Sequence, residues 1–250
     1  MLAAHKKHVK TLIHEQNSVV GVSNKMVAKY MDAIIICYEK CYEEFGKEKT
    51  YFLGNPRATN AIQATFDEAY YRSLGLSMEK PLILVVMGSL GSSSVNKIMK
   101  DVLPKINRDY QILFVTGKNN YKEMKDVIKQ DNIKVVDYVK QLSIIQKVDL
   151  IICRAGATTA AENTAFGTPS ILIPSPYVAH NHQLYNASVM VDKKAAMMIE
   201  EKDLNAENLS RKIELIMSNE NLRKEMKKNA QAMGKPNASE DILELFDKMK

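Results

Sequence analysis

Short apolar runs of strand length alternate with helical patterns from residue 81 onward. The five strand-like runs are Leu82 to Met87, Gln111 to Thr116, Ile133 to Tyr138, Leu150 to Cys153 and Ser170 to Ile173. Between them, apolar residues recur three and four positions apart, as at Val95, Ile98, Met99 and Val102. Repeated β-α units of this size predict an α/β fold with a parallel sheet that helices cover on both faces. Ligands of such sheets bind beyond the carboxyl ends of the strands.

The pattern is thinner before residue 81. This part has strand-like runs at Ala33 to Cys37 and Tyr51 to Leu53 and a helical stretch near Ser23 to Tyr30. These elements are too few for a complete second α/β domain. The chain ends in three helical patterns, at Asn208 to Met217, Asn221 to Met233 and Ser239 to Met249. The last of these has an apolar face, which needs a partner surface.

Lysine is concentrated near the start of the chain. The formal net charge is +6, and the first 30 residues hold one acidic residue, Glu15, and five lysines, namely Lys6, Lys7, Lys10, Lys25 and Lys29. Such a patch favours an anionic membrane surface, nucleic acid or a phosphate-rich substrate. Solvated lysines that keep the protein soluble explain it equally well. No zinc-finger spacing or aromatic-rich strand accompanies the patch, so we expect no nucleic-acid partner.

The cysteines and the apolar runs bear on the compartment. Three cysteines, Cys37, Cys41 and Cys153, form an odd set in a sequence without a signal-peptide pattern, which favours a reducing compartment, the cytoplasm. The longest apolar runs are far shorter than the roughly 20 residues that cross a bilayer. The sequence therefore predicts no membrane-spanning helix.

Two glycine turns follow predicted strands and open predicted helices. The first, Met87 to Ser94, brings glycines and serines to a helix start, where free N–H groups favour an anion such as diphosphate. It lacks the ending of a P-loop and the full G-x-G-x-x-G spacing, so the ATPase and NAD hypotheses lose support. A plain strand-to-helix turn with a serine cap explains this turn nearly as well.

The second glycine turn is Cys153 to Glu162. Thr158 and Thr159 are expected in the first helical turn with free N–H groups, and Glu162 follows one turn later on the same side. A carboxylate there suits two adjacent hydroxyls, as on a ribose, because it accepts from both. An acid favoured by the positive helix end is the simpler alternative. Two such turns in one sheet indicate a nucleotide.

A polar loop, Pro174 to Asn186, follows the last predicted strand. His180 and His182 lack a third metal ligand at a suitable spacing, so no metal site is predicted. Gln183 and Asn186 combine donors with acceptors and suit sugar hydroxyls.

A polar quartet, HEQN at 14 to 17, follows the apolar residues Val9, Leu12 and Ile13. Four adjacent side chains of this kind are hard to explain as core. A solvated turn is the alternative.

Together these motifs resemble the MurG-like glycosyltransferases. HEQN at 14 to 17, GNPR at 54 to 57, the turn at 88 to 94, RAGATTAAE at 154 to 162 and H-Q-x-x-N-A at 182 to 187 occur in that family's order, over essentially the whole chain. The resemblance implies a GT-B fold, in which two Rossmann-like domains face each other across a cleft. The carboxyl domain holds UDP-GlcNAc as donor, with no other cofactor, and the amino domain faces an undecaprenyl-diphosphate-linked acceptor in peptidoglycan synthesis.

The resemblance also implies roles at individual positions. Asn17 and Gln183 are expected to hold GlcNAc hydroxyls, and Glu162 the ribose. Backbone contacts to the sugar and the diphosphate are implied at Ala157, Thr158 and Thr159. Ser89 would contact phosphate and the backbone near Val139 would contact uracil. The family's arginine after GNP is matched by Arg57.

Several positions depart from the family pattern. His182 stands where a second glutamine is common, and Met87 and Leu90 replace a glycine and a glutamine of the usual G-G-S-Q-G turn. The glycine-rich first loop of the family is not found. We therefore expect a partial acceptor-side domain at 1–57, the UDP-GlcNAc-binding domain at 58–236 and a helix at 237–250 that packs towards the amino-terminal part.

The expected reaction is a single inverting displacement at GlcNAc C1, with His14 as the candidate base and helix N-termini in place of a metal. Two other functions are weighed against it. A non-catalytic or split-enzyme subunit that binds a UDP-sugar, completed by a partner chain, fits the missing loop. A GT-B UDP-sugar epimerase would be expected to place carboxylates around the sugar. The lipid-linked acceptor implies a peripheral site on the inner face of the membrane.

Overall fold

The computed structural model describes residues 1–88 and 91–249. Its strands are β1 (Leu12–Glu15), β2 (Ala33–Ile36), β3 (Thr50–Phe52), β4 (Leu82–Val86), β5 (Gln111–Val115), β6 (Ile133–Val136), β7 (Val148–Cys153), β8 (Ser170–Leu172) and β9 (Ala196–Met198). Its helices are α1 (Leu2–Lys6), α2 (Val22–Val27), α3 (Tyr42–Phe45), α4 (Arg57–Gln63), α5 (Glu68–Ser73), α6 (Ser93–Val102), α7 (Lys118–Val127), α8 (Ala157–Phe166), α9 (His182–Asp192), α10 (Ala206–Met217), α11 (Glu220–Met233) and α12 (Ala238–Lys248).

The larger sheet has six parallel strands in the order β6-β5-β4-β7-β8-β9. Its central strands are buried on both faces, and one core packs against α6 and α10 while a second packs against α8 and α9. The α/β parallel sheet that the apolar runs predict is therefore confirmed. The sequence prediction missed β9, because three residues of alanine and methionine carry no β-branched signal.

The smaller sheet has three parallel strands in the order β1-β2-β3. All four residues of β2 are buried. The explanation of HEQN as a solvated turn is wrong for its first two residues, because His14 and Glu15 lie within β1 and Glu15 is only 3% exposed. Burial of Glu15 is compensated by donors from the backbone of Asn17 and Gly21 and from the side chain of Asn24.

The two sheets meet where their strands end. The side chain of Asn186 on α9, which is fully buried, accepts from the backbone N–H and the hydroxyl of Ser18 and donates to the Asn17 amide oxygen. At the chain end, α12 packs on α4, and the Ser239 N–H donates to the Thr59 hydroxyl at 3.0 Å. Among the described residues, no helix combines the length and hydropathy that a membrane span requires.

Candidate functional site

The first glycine turn is held against the neighbouring strand. Gly91 adopts φ +73°, and a Cβ at this position would overlap the carbonyl oxygen of Thr116. Gly88 has a similar φ of +84°, but no atom of the described residues lies within 4 Å of a Cβ placed there. The turn therefore requires glycine at 91 for two reasons, the backbone conformation and the close approach. The expected phosphate contact Ser89 lies outside the described residues.

The three serines after Gly91 are engaged by other side chains. Ser92 accepts from Arg154 at 2.8 Å, and Ser93 donates to the Asn120 amide oxygen at 3.0 Å. Ser94 donates to Glu201 at 2.6 Å. No side chain caps the start of α6 within the described part of the chain. The backbone N–H groups of α6, rather than these hydroxyls, are therefore what the turn offers to an anion.

The second glycine turn opens α8. Gly156 precedes the helix, and no side-chain cap is present there among the described residues, so the first N–H groups of α8 point outward. A cavity of about 470 Å³ lies between this helix start and the end of β6. Five of the predicted site residues line it together, namely Arg57, Val139, Thr158, Thr159 and Glu162. Gly88 and Arg154 line the same cavity.

Glu162 and Arg57 are bound to each other. The Arg57 Nη2 and Nε atoms lie 2.5 and 2.8 Å from one Glu162 oxygen, and the Gln141 amide donates to the other oxygen at 3.3 Å. The Glu162 side chain is 7% exposed and that of Arg57 43%. The carboxylate expected to bind ribose is thus occupied by a neighbouring guanidinium.

The polar residues assigned to the sugar lie outside this cavity's lining. Gln183 accepts from the Ser175 N–H at 2.9 Å, which leaves its NH₂ group as donor. Asn17 accepts from the Asn186 amide at 3.1 Å and likewise keeps its NH₂ group. Ala157 lines a neighbouring cavity of about 430 Å³. The assignment of Asn186 to sugar hydroxyls is wrong, because this amide is fully buried and both its oxygen and its NH₂ group are already hydrogen-bonded, to Ser18 and to Asn17 and Ala155.

His14 is the third residue of β1 and is not among the residues that line the 470 Å³ cavity. Its Nε2 is 2.9 Å from the Gly54 carbonyl oxygen and 3.3 Å from the Cys37 sulfur. Because a carbonyl only accepts, Nε2 carries the proton and Nδ1 is left with a lone pair. Burial raises the pKa of the Cys37 thiol to about 12. Cys37 is therefore neutral at pH 7 and is a poor base beside His14.

Two residues near the first glycine turn were not predicted as site residues. Arg154 and Glu201 form an ion pair at 2.6 Å, with side chains 12% and 10% exposed. Arg154 stands inside the RAGATTAAE motif, so its place in the turn could have identified it. Glu201 carries no sequence signal, because it follows β9 in an acidic stretch 47 positions further along the chain than Arg154.

Comparisons with known proteins identify the family of this chain. Residues 82–242 match the glycosyltransferase family 28 C-terminal domain. One relative is the UDP-N-acetylglucosamine--N-acetylmuramyl-(pentapeptide) pyrophosphoryl-undecaprenol N-acetylglucosamine transferase of Limosilactobacillus reuteri. It is 40% identical to this chain in an alignment that covers 99% of this chain and 69% of that protein. The transferase of the same name from Listeria monocytogenes is 42% identical, over 97% of this chain and 68% of its own length.

The fold has a solved counterpart. The crystal structure of Acinetobacter baumannii MurG superposes with a TM-score of 0.82 at 24% identity, over 99% of this chain and 69% of that one. This similarity confirms the parallel-sheet α/β fold that is expected for the carboxyl domain of a GT-B enzyme. On the family match and the identity to the named transferases, the chain belongs to the MurG family of N-acetylglucosamine transferases, within glycosyltransferase family 28.

Proposed function

We propose that this chain binds UDP-GlcNAc and transfers its GlcNAc to an undecaprenyl-diphosphate-linked N-acetylmuramyl-pentapeptide. One observation carries the proposal. Glu162 and the uncapped start of α8 line one cavity of about 470 Å³, and the first glycine turn reaches the same cavity through Gly88. The cavity thus combines a buried carboxylate, which can accept hydrogen bonds from a ribose, with backbone N–H groups, which can donate to a diphosphate. A nucleoside diphosphate requires both kinds of group. The names of the relatives supply the sugar and the acceptor.

The donor is proposed to lie across the cavity in a fixed order. Uracil would contact the backbone near Val139, and the ribose hydroxyls would donate to Glu162. The diphosphate would lie between the starts of α6 and α8, near the backbone of Thr158 and Thr159. Arg57 is released from Glu162 in this arrangement, and its guanidinium can then pair with a phosphate.

The chemistry is a single displacement. The acceptor hydroxyl oxygen forms a bond to GlcNAc C1 while the bond from C1 to the UDP oxygen breaks. The charge that develops on UDP is stabilised by the N–H groups of the two helix starts. The acceptor proton passes to a base, and His14 is proposed for this role through Nδ1, because Nε2 already donates to Gly54.

His14→Ala is expected to lower turnover about 100-fold, as loss of a general base does, with unchanged UDP-GlcNAc affinity. The measurement is transfer of labelled GlcNAc to the lipid acceptor, together with donor titration by calorimetry. Cys37→Ser is the matched control, because it changes the other neighbour of the His14 Nε2 atom and leaves the imidazole in place. Full turnover in His14→Ala would remove the assignment.

A peripheral site on the cytoplasmic face of the membrane is also proposed, with the lysines of the first 30 residues against anionic headgroups. Replacing Lys6 and Lys7 by glutamate is expected to release the chain from vesicles that contain phosphatidylglycerol, and added salt should act in the same direction. Lys227 and Lys228 on α11 form the control pair, because they are equally adjacent and exposed. Equal sedimentation with neutral vesicles would contradict the proposal.

The relatives are longer than this chain, which spans 69% of the Limosilactobacillus reuteri transferase. Calorimetry with UDP-GlcNAc against UDP-GalNAc tests the donor assignment without an acceptor. Selective binding of UDP-GlcNAc supports the proposed function, and equal or undetectable binding of both nucleotides contradicts it.

A further inference from the structure

Arg154 and Glu201 lie beneath the first glycine turn. Arg154 directly follows β7, and Glu201 follows β9, two strands away in the sheet order. Their side chains are 12% and 10% exposed and lie 2.6 Å apart. A pair so poorly exposed is costly to desolvate unless further hydrogen bonds complete it.

The remaining contacts of Arg154 fix its orientation. Nη1 donates to the Ile173 carbonyl oxygen at 3.0 Å, and Nη2 donates to the Ser92 hydroxyl at 2.8 Å. Nη1 also makes the contact with Glu201, so both terminal nitrogens of the guanidinium are engaged by protein groups. Arg154 also lines the 470 Å³ cavity beside Gly88 and Thr158. A fixed guanidinium therefore lies next to the two helix starts.

Glu201 links this arginine to the helix that follows the turn. One carboxylate oxygen accepts from the Ser94 hydroxyl at 2.6 Å, and the other faces Arg154. The Ser92 and Ser94 hydroxyls are in turn 3.1 Å apart. Four side chains thus form a closed ring at the start of α6, and Glu201 is its sole anion among the described residues.

We propose that Glu201 is a positioning residue for the donor diphosphate, which acts by holding Arg154 and the start of α6 in one arrangement. This inference rests on the proposed function, because it assigns the diphosphate to that end of the cavity. Removal of the carboxylate releases Arg154 on one side and Ser94 on the other. The groups assigned to uracil and ribose, near Val139 and at Glu162, belong to other segments and keep their positions.

A merely structural role predicts a different result. If the ring only stabilised the fold, Glu201→Gln would lower the melting temperature and weaken every ligand alike. A positioning role weakens ligands with phosphates selectively. In a positioning role, Glu201 affects UDP affinity through Arg154. Glu201→Gln should therefore lower UDP affinity only slightly further in a chain that already lacks the Arg154 guanidinium.

The test is calorimetric titration of the full chain with UDP and with uridine. Glu201→Gln is expected to raise the Kd for UDP about tenfold and the Kd for uridine less than about twofold, the effect of a lost supporting contact behind a binding group. Glu200→Gln is the matched control, because the adjacent Glu200 pairs with Lys202 at the surface. Arg154→Lys keeps the positive charge but removes the planar guanidinium. In that background, Glu201→Gln should raise the Kd for UDP less than about twofold further.

Three outcomes overturn the inference. They are an unchanged Kd for UDP, an equal loss for UDP and uridine, and full additivity with Arg154→Lys. If Glu201→Gln does not fold, the exposed Ser94→Ala variant replaces it, with a selective loss of UDP affinity of about threefold expected. A wild-type chain that binds neither UDP nor uridine contradicts the proposed function itself, which separates that failure from failure of the positioning role.

Discussion

Gly91→Ala is expected to weaken UDP binding about 1,000-fold and to lower the free energy of unfolding by about 3 kcal/mol, because a Cβ at 91 overlaps a backbone oxygen that cannot move freely. The overlapping atom is the Thr116 carbonyl oxygen, at the end of β5. Thr116 is also bound there, since its N–H donates to the Val136 carbonyl and its carbonyl accepts from the Asn96 amide. The turn must therefore move away, and the α6 N–H groups move with it.

Gly88→Ala is the matched control for this change. Both glycines have positive φ, so both alanine variants carry the left-handed backbone cost of about 1 kcal/mol. Within the described part of the chain, a Cβ at 88 meets no neighbour within 4 Å. Calorimetry with UDP and thermal unfolding of both variants separate the close approach from the backbone conformation. Equal losses in the two variants would show that the Thr116 contact does not constrain the turn.

Glu162→Ala is expected to weaken UDP binding about 300-fold, because two hydrogen bonds from ribose hydroxyls to a charged acceptor are lost at about 1.5–2 kcal/mol each. The carboxylate is well placed for this role, since its side chain is 7% exposed and lies in the wall of the nucleotide cavity. Loss of Glu162 also leaves Arg57 without its partner. UDP therefore no longer has to break the Arg57–Glu162 ion pair when it binds to the variant, which offsets a part of the loss.

A comparison with 2′-deoxy-UDP shows whether the ribose causes the effect. The wild-type chain should bind UDP about tenfold more tightly than 2′-deoxy-UDP, and Glu162→Ala should bind the two nucleotides equally. Gln141→Ala serves as the control, because it removes the other protein contact of Glu162 and keeps the carboxylate. A preference for UDP that survives in Glu162→Ala would place the ribose elsewhere.

The regular part of the fold could be predicted from the sequence, because its signal is local. β4, β5 and β7 are apolar runs buried on both faces, and their order along the chain fixes a parallel sheet. β1 could not be predicted in this way. Its last residue, Glu15, is charged, and its burial depends on donors from a loop that folds back over it.

The candidate site also combines residues that could be predicted from local spacing with contacts that could not. Thr158, Thr159 and Glu162 share one helix, so their spacing alone places them on one side of it. The contact of Glu162 with Arg57 joins residues 105 positions apart, and nothing in either segment indicates it. Asn186 was misassigned for a related reason, since a polar amide looks the same in sequence whether it faces a ligand or is buried between two sheets.

The contact between Arg57 and Glu162 makes nucleotide binding an exchange instead of an addition. The ribose has to displace the Arg57 guanidinium from the Glu162 carboxylate. The observed free energy of binding is therefore the difference between the free energy gained with the ribose and that lost with the guanidinium. Arg57 is also the first residue of α4, which carries the packing of α12. The cation that the ribose displaces is therefore carried by a helix that is itself packed against α12.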